Sequence, residues 1–382
     1  MSALMEIKRK KSHDILISHY VNGVKETDKY AADVHPALMG IFGEVGSLVS
    51  AAKKYKREGQ AFSDYGFSLV EEMGDAIWYF VAVCNRLEVN AEKLIKTSVG
   101  DIKNGGLLAA SDRAESPVVE VFNIDGRGDF DDLLLSLAKS VSLLLSIPDH
   151  GDAEESLESY IKCYFKVMVA SGISFYDVLD YNLKKTKGRF LRADERRLPS
   201  FDSSFEEDER IPDEFEIEIV ERSCGKICMK WNGVFIGDPL TDNIKDEDGY
   251  RYHDVFHFAH AAILHWSPTF RALIKHKRKS KPDIDEQQDG GRAGVVEEGL
   301  TAWVFSRAKN LNFFEGLDSL SFDLLKGVSH FVAGYEVEAC PLNLWERAIL
   351  DGYHVFRQVK KNNGGIVRCS RKNRTIEYVE HN

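Results

Sequence analysis

Apolar residues recur at helical spacing through most of residues 30–104. The pattern runs through HPALMGIFGEVGSLVSAAKKY, again through FSLVEEMGDAIWYFVAVCNRL, and then through the shorter NAEKLIKTSVGDIKN. Gly105 and Gly106 interrupt it. SPVVEVFNIDGR, at 116–127, reads as an extended or loop connection. Helical periodicity resumes in DDLLLSLAKSVSLLLSI, AEESLESYIKCYFKVMVASG and SFYDVLDYNLKKTKGRF. Three helices are therefore followed by three more.

The two trios also match in order. LMGIFGEVGSLVS lies beside LLLSLAKSVSLLL, YFVAVCNRLEV beside YFKVMVASGI, and LIKTSVGDIK beside VLDYNLKKTK. An ordered likeness of three elements is the mark of a diverged duplication. Chance likeness between amphipathic helices is the alternative. A polar, acidic stretch at 196–214, RRLPSFDSSFEEDERIPDE, reads as a linker. Beyond it EFEIEIVE reads as a strand, and KICMKWNGVFIGD as a hairpin turning at Asn232-Gly233. Helical spacing returns from Tyr250 to about Lys361, and IVRCSRKNRTIEYVE reads as a second hairpin. The expected organisation is one repeat over 1–112, a second over 113–195, the linker, and an α-rich domain with short β-hairpins over 215–382.

Composition adds exclusions. Six scattered cysteines in 382 residues do not make a disulfide framework. Cys224 and Cys228, three residues apart between them, read as free thiols more readily than as zinc ligands. The start, MSALMEIKRKKSHD, lacks the apolar stretch of a secretory signal, and no apolar run is long enough for a membrane span. A cytoplasmic location without membrane attachment is the default expectation. The net charge of −11 argues against general nucleic-acid binding, which needs surplus Lys and Arg. It suits equally an enzyme that handles acidic ligands through a cation, or plain solubility. The run KHKRKSK at 275–281 reads as a solvated loop, since DIDEQQD follows and offsets it. No GxxxxGK[ST] loop is present, so a P-loop NTPase is excluded at motif level.

Glu44 stands on the first helix of the first trio, and Glu71, Glu72 and Asp75 on the second. Glu72 and Asp75 are three apart and share a helix face, with Trp78 and Tyr79 as neighbours. Carboxylates converging on one site repel each other, and a hard divalent cation reverses that repulsion. Such an ion bridges phosphate oxygens and activates water. The same spacing also suits a solvated acidic face.

GIFGEVGSLVSAAKK followed by LVEEMGDAIWYFVAV resembles the MazG-like family of all-α nucleoside triphosphate pyrophosphohydrolases. The likeness is close over about residues 30–104 and loose over 130–190. It implies an ExxE helix and an ExxD helix around Mg²⁺ or Mn²⁺, cleaving an NTP or dNTP to monophosphate and pyrophosphate. Glu44 matches the first Glu of ExxE, and Glu72 and Asp75 match ExxD. The second Glu of ExxE falls at Ser47, a departure for which Glu71 is a substitute candidate. The family also holds phosphates or base with an Asn and a Lys on its last helix and an Arg nearby. In the first trio these positions are Ser98 and Asp101, but in the second they are Asn182 and Lys185, with Arg189 one turn on. Conversely, the second trio carries Lys139 at the Glu44 position and apolar or aromatic residues, near Leu157 and Tyr160, at ExxD. The two trios have lost complementary parts, which implies a fused pseudo-dimer with one active site.

Metal ligands are then expected at Glu44, Glu71, Glu72 and Asp75, with substrate contacts at Asn182, Lys185 and Arg189 and a lesser candidate at Lys54, beside Lys53. Water is the expected nucleophile, with Glu44 or Glu72 as catalytic base. The implied roles are nucleotide-pool cleansing or antiphage nucleotide depletion, and a homo-oligomer is allowed. A catalytically silent nucleotide sensor with a C-terminal effector is the alternative.

Eight of the 12 histidines lie beyond residue 250. His253, His257 and His260 share one helix face in YRYHDVFHFAHAAIL, with Asp254 beside them. Imidazoles so spaced suit Zn²⁺, Mn²⁺ or Fe²⁺, and Glu297 and Glu298 can complete a site from a second helix. His330 and Glu336 are weaker extras. A buried polar network is the alternative, and a metal-dependent hydrolase regulated by the N-terminal bundle is a third reading of the whole.

Overall fold

The computed structural model describes residues 17–29, 33–100, 107–110, 119–122, 129–147, 153–191 and 198–380. The chain is mainly helical and divides into two compact units, Met1–Leu191 and Arg192–Asn382. No helix among the described residues is long and apolar enough to cross a membrane.

Unit one holds both trios. Helix α1 is described over residues 17–27 and buries Ile17, Tyr20, Val21 and Val24 at helical spacing. Helix α2 (His35–Glu58) begins at a proline and stops at Gly59, whose φ of 56° the missing Cβ makes easy. It buries Leu38, Ile41, Val45 and Leu48. Helices α3 (Tyr65–Arg86) and α4 (Ala91–Gly100) complete the first trio. Strand β2 (Val119–Phe122) falls inside the stretch 116–127 read as a connection and pairs antiparallel with β1 (Leu107–Ala110), which precedes it, while Gly105 and Gly106 lie outside the described residues.

The second trio is α5 (Phe130–Leu144), α6 (Ala153–Ser171) and α7 (Phe175–Phe190). Asp129 caps α5 and Ser174 caps α7, each accepting from a backbone N–H of the first turn. The packing is reciprocal. α2 meets α5, α3 meets α7, and α4 meets α6. Each second helix therefore lies against the third helix of the other trio. One continuous apolar core runs through both trios, so they form one unit rather than two domains.

Unit two joins the two expected hairpins into one sheet. Strands β3 (Glu214–Glu221), β4 (Ile227–Trp231) and β5 (Val234–Leu240) are followed, after the helices, by β6 (Gly364–Ser370) and β7 (Thr375–Val379). The order is β5-β4-β3-β6-β7, all antiparallel. Phe215, Ile217 and Ile219 alternate inward along β3. Between the strand groups run α8 (Asp254–Ala259) with a π turn (His260–Leu264), α9 (Pro268–Ile274), α10 (Pro282–Gln287), α11 (Gly291–Ala308), α12 (Phe322–Val332) and α13 (Leu342–Asn362). α13 packs on α8, the π turn and β7.

The stretch 196–214, expected as a linker from its polarity, is folded from residue 198 onward. Phe205 and Ile211 are buried, and Asp202 lies between two buried arginines. It pairs with Arg271 at 2.6 Å and Arg371 at 2.6 Å and accepts from the Ile211 N–H at 2.8 Å. Composition missed this because the partners of Asp202 lie far along the chain.

Asp202 carries a stability prediction. Burial works against its ionisation, but the Arg371 and Arg271 charges outweigh burial and hold its carboxyl below the ordinary value of 3.8. Its contribution is therefore complete above the unfolded value and lost as pH falls through the lower folded value. Removing one partner of a buried pair costs about 3–5 kcal/mol. Asp202→Asn is expected to lower unfolding free energy by that order in urea at neutral pH, and to weaken the acid sensitivity of the melt.

Candidate functional site

Three elements build the acidic site of unit one. α2 presents Glu44, α3 presents Glu71, Glu72 and Asp75, and α7 presents Asn182 and Lys185. The i, i+3 spacing on α3 puts Glu72 and Asp75 on one face, and the α2–α3 packing brings Glu44 to them. Ligand-type oxygens of Glu44, Glu72 and Asp75 lie within 4.8 Å of one another. All three residues are half-buried.

Lys185 is drawn into this group, with its Nζ 2.5 Å from Asp75 Oδ2 and 3.2 Å from Glu71 Oε1. Burial pulls its pKa down, but Asp75 and Glu71 outweigh that and hold it above the ordinary lysine value. Asn182 Nδ2 donates to Asp75 Oδ1 at 2.9 Å, and Tyr20 Oη donates to Asn182 Oδ1 at 2.8 Å. Gly74 allows this approach, because a Cβ there would stand 2.9 Å from Asn182 Cβ. Burial pushes Glu44 up from 4.5 to about 8, with Asp75 and Glu72 adding to the rise.

The other expected residues fall elsewhere. Glu71 is fully inside and serves Lys185, outside the three-carboxylate cluster. Lys54 lies over the Phe62 ring at 4.1 Å, and Arg189 lies over Phe190 at 5.7 Å. Leu157 and Tyr160, at the ExxD positions of the second trio, are core residues. Asp101 lies outside the described residues, while Ser98 is buried. Tyr20 is the member that sequence reading missed. Its signal was the apolar spacing of α1, ahead of the first helix recognised.

In unit two the histidine face also meets acids. His257 is fully buried, with Nδ1 3.1 Å from Glu297 Oε1 and Nε2 3.2 Å from Glu298 Oε1. The angles are not those of hydrogen bonds, so both ring nitrogens lack such a partner despite the short contacts. His260 Nδ1 lies 2.9 Å from Glu297 Oε1, and His253 Nε2 lies 3.5 Å from Glu298 Oε2. Burial opposes both shifts, yet Glu297 drives His257 above its ordinary value while His257 draws Glu297 down to about 2. Burial raises Asp254. His330 is exposed on α12, and Glu336 pairs with Arg278 at 2.6 Å, so neither joins the group.

That Arg278 pairing revises the basic run 275–281. Arg278 is buried between Asp289 and Glu336, which pins the segment. Lys275, Lys277 and Lys279 instead line a cavity of about 1210 Å³ with Arg292, Asp285 and Tyr335. Cys224 is exposed, Cys228 is buried, and both are free thiols.

The raised Glu44 value makes a test. A carboxyl held above its unfolded pKa stabilises the fold below about 4.5, and that contribution is lost as pH rises toward about 8. In chelator, stability is expected to fall across that window by up to about 1.4 kcal/mol per pH unit. Glu44→Gln should flatten the slope, and added Mg²⁺ should do the same in the unmutated chain, both read by urea melts at several pH values.

Comparison with known proteins places a match in the other half of the chain from the resemblance. No curated protein and no solved structure matches this chain. Residues 196–382, which take in the stretch read as a linker and the domain left unassigned, match the family model of the MazG C-terminal domain. That match makes this part of the chain similar to the MazG C-terminal domain.

Proposed function

We propose that unit one hydrolyses a nucleoside triphosphate, ribo or deoxyribo, to the monophosphate and pyrophosphate with Mg²⁺ or Mn²⁺ as cofactor. The carrying observation is the convergence of Glu44, Glu72 and Asp75 within 4.8 Å, with Asn182 and Lys185 brought against them from α7. The donor set fits a hard cation, because three carboxylates converge there and burial, with Asp75 and Glu72 adding to it, raises Glu44 to about 8. Glu44, Glu72 and Asp75 would hold the ion, with Ser47 leaving the α2 side one carboxylate short. Bound there, the ion supplies phosphate neutralisation and a more acidic water.

The chain's own residues do the remaining work. Glu44 and Glu72 lie in the same cluster within 4.8 Å, so one of them is the group placed to take a proton from the attacking water. Lys185 offers a cationic Nζ for a phosphate oxygen, with Glu71 as the buried counter-charge that positions it. Tyr20 fixes the Asn182 amide so that its NH₂ faces the site. The reciprocal packing of the trios supports a fused pseudo-dimer with one surviving site, its metal ligands from the first trio and its donors from the second. Nucleotide-pool cleansing or antiphage nucleotide depletion is the role we propose. The family match in residues 196–382 supports a nucleotide pyrophosphohydrolase in coarse terms.

Two outcomes test this reading. Incubated with Mg²⁺ and a panel of NTPs and dNTPs, the chain is expected to release pyrophosphate, and Glu72→Ala or Asp75→Ala to abolish the release. Lys185→Met should lower kcat by about 10²-fold, the order found for one donor at a developing charge. Tight nucleotide binding with no pyrophosphate from any nucleotide would favour the silent sensor instead, for which Ser47 speaks.

A further inference from the structure

The hydrolysis proposed above leaves the histidine cluster of unit two unused. We propose that this cluster binds one divalent transition-metal ion through His257 Nδ1, His260 Nδ1 and Glu297 Oε1. These three residues are buried, and their ligand atoms lie within 4.8 Å of one another. The two nitrogens stand 3.1 Å and 2.9 Å from the shared oxygen. Neighbouring ligands that each lie about 2.1 Å from one ion are separated by roughly 3.0–3.4 Å, so the spacing is that of a shared ion.

Three further observations point to a ligand. First, His257 Nδ1 is buried and close to a carboxylate oxygen, yet the angle makes no hydrogen bond. A buried polar atom in that state is costly unless something else satisfies it. Second, Glu297 is held from behind. Its Oε2 accepts from Ser267 Oγ at 3.0 Å and from the Thr269 N–H at 3.0 Å, which leaves Oε1 turned to the imidazoles. Outer-shell bonds of this kind orient metal-binding carboxylates. Third, only imidazoles stand against the acids here. Asp254, Glu297 and Glu298 crowd the histidines, and no Lys or Arg among the described residues pairs with any of them. A divalent ion offsets two of those charges.

The ligand types choose the metal. Two imidazoles and one carboxylate suit Mn²⁺, Fe²⁺, Ni²⁺ or Zn²⁺ better than Mg²⁺ or Ca²⁺, which prefer oxygen alone. The π turn that carries His260 is a backbone irregularity often found at functional sites. Access is from the His253 and Glu298 end, where the side chains are 12% and 43% exposed.

The test uses the full chain carrying Glu72→Gln and Asp75→Asn, which removes the acidic site of unit one from the count. The protein is stripped with chelator, reloaded separately with Mn²⁺, Fe²⁺ and Zn²⁺, desalted and analysed by elemental mass spectrometry. About one equivalent of at least one metal is expected to stay bound. Bound Mn²⁺ should show imidazole nitrogen coupling in pulsed electron paramagnetic resonance. Ser267→Ala should weaken binding about 10–100-fold by freeing Glu297, and His260→Gln should abolish the nitrogen-coupled signal. The reloaded, folded chain retaining none of the three metals overturns the proposal. So does bound Mn²⁺ without nitrogen coupling. Both readouts need only the intact cluster, so a misfolded His260→Gln does not blunt them. A failure here leaves the pyrophosphohydrolase reading of unit one untouched, since that reading predicts Mg²⁺-dependent turnover in the unmutated chain.

Discussion

The pairing of Lys185 with Asp75 and Glu71 is the interaction on which the acidic site of unit one rests. Two carboxylates from α3 and one cation from α7 meet where water is scarce. Removing Lys185 leaves two carboxylates without their cation, which is far costlier than the pairing is worth. The pair therefore fixes how α7 lies on α3, and with it where Asn182 points. Gly74 and Tyr20 complete the arrangement, one by leaving room for Asn182 and the other by bonding it. Glu44 then faces Glu72 and Asp75 across the α2–α3 contact and stays protonated near neutrality. A site in this state takes up positive charge readily, whether from a lysine, a proton or a divalent ion.

Unit two solves a related problem with a different chemistry. Its charges are buried more completely, and most are matched by arginine. Asp202 sits between Arg271 and Arg371, and Arg278 between Asp289 and Glu336. These clamps fasten the polar stretch before β3 and the basic run after α9. The histidine cluster is the exception, with imidazoles in place of arginine against Glu297 and Glu298. Imidazole differs from guanidinium because it is neutral or cationic by context, and because it binds metals. The contrast is what sets the cluster apart from the structural ion pairs around it.

Much of the arrangement was legible in the sequence for a simple reason. Helical periodicity depends on neighbours three and four residues away, so α2, α3 and the second trio could be read directly, as could the shared face of Glu72 and Asp75. The alternation in EFEIEIVE and the Asn232-Gly233 turn did the same for β3 to β5. The family resemblance, carried onto the second trio, pointed to Asn182 and Lys185. Reading began one helix too late, and so lost Tyr20, although Ile17, Tyr20, Val21 and Val24 carry the same periodic signal. Asp202 was lost for another reason, since a polar run reads as a linker unless its partners are known.

By itself the sequence determined the helices, the strands, the faces on which acids and histidines fall, and the ordered likeness of the two trios. Those are local properties, set by backbone geometry and by spacing of a few residues. Only the tertiary structure decided which face meets which. It gave Lys185 to Glu71 and Asp75, took Glu71 out of the carboxylate cluster, merged two hairpins into one sheet through β3 and β6, and turned Glu297 toward His257 and His260. Each of these joins residues more than thirty positions apart. Their pairing is set by how complementary surfaces and charges pack, which no short window of sequence contains.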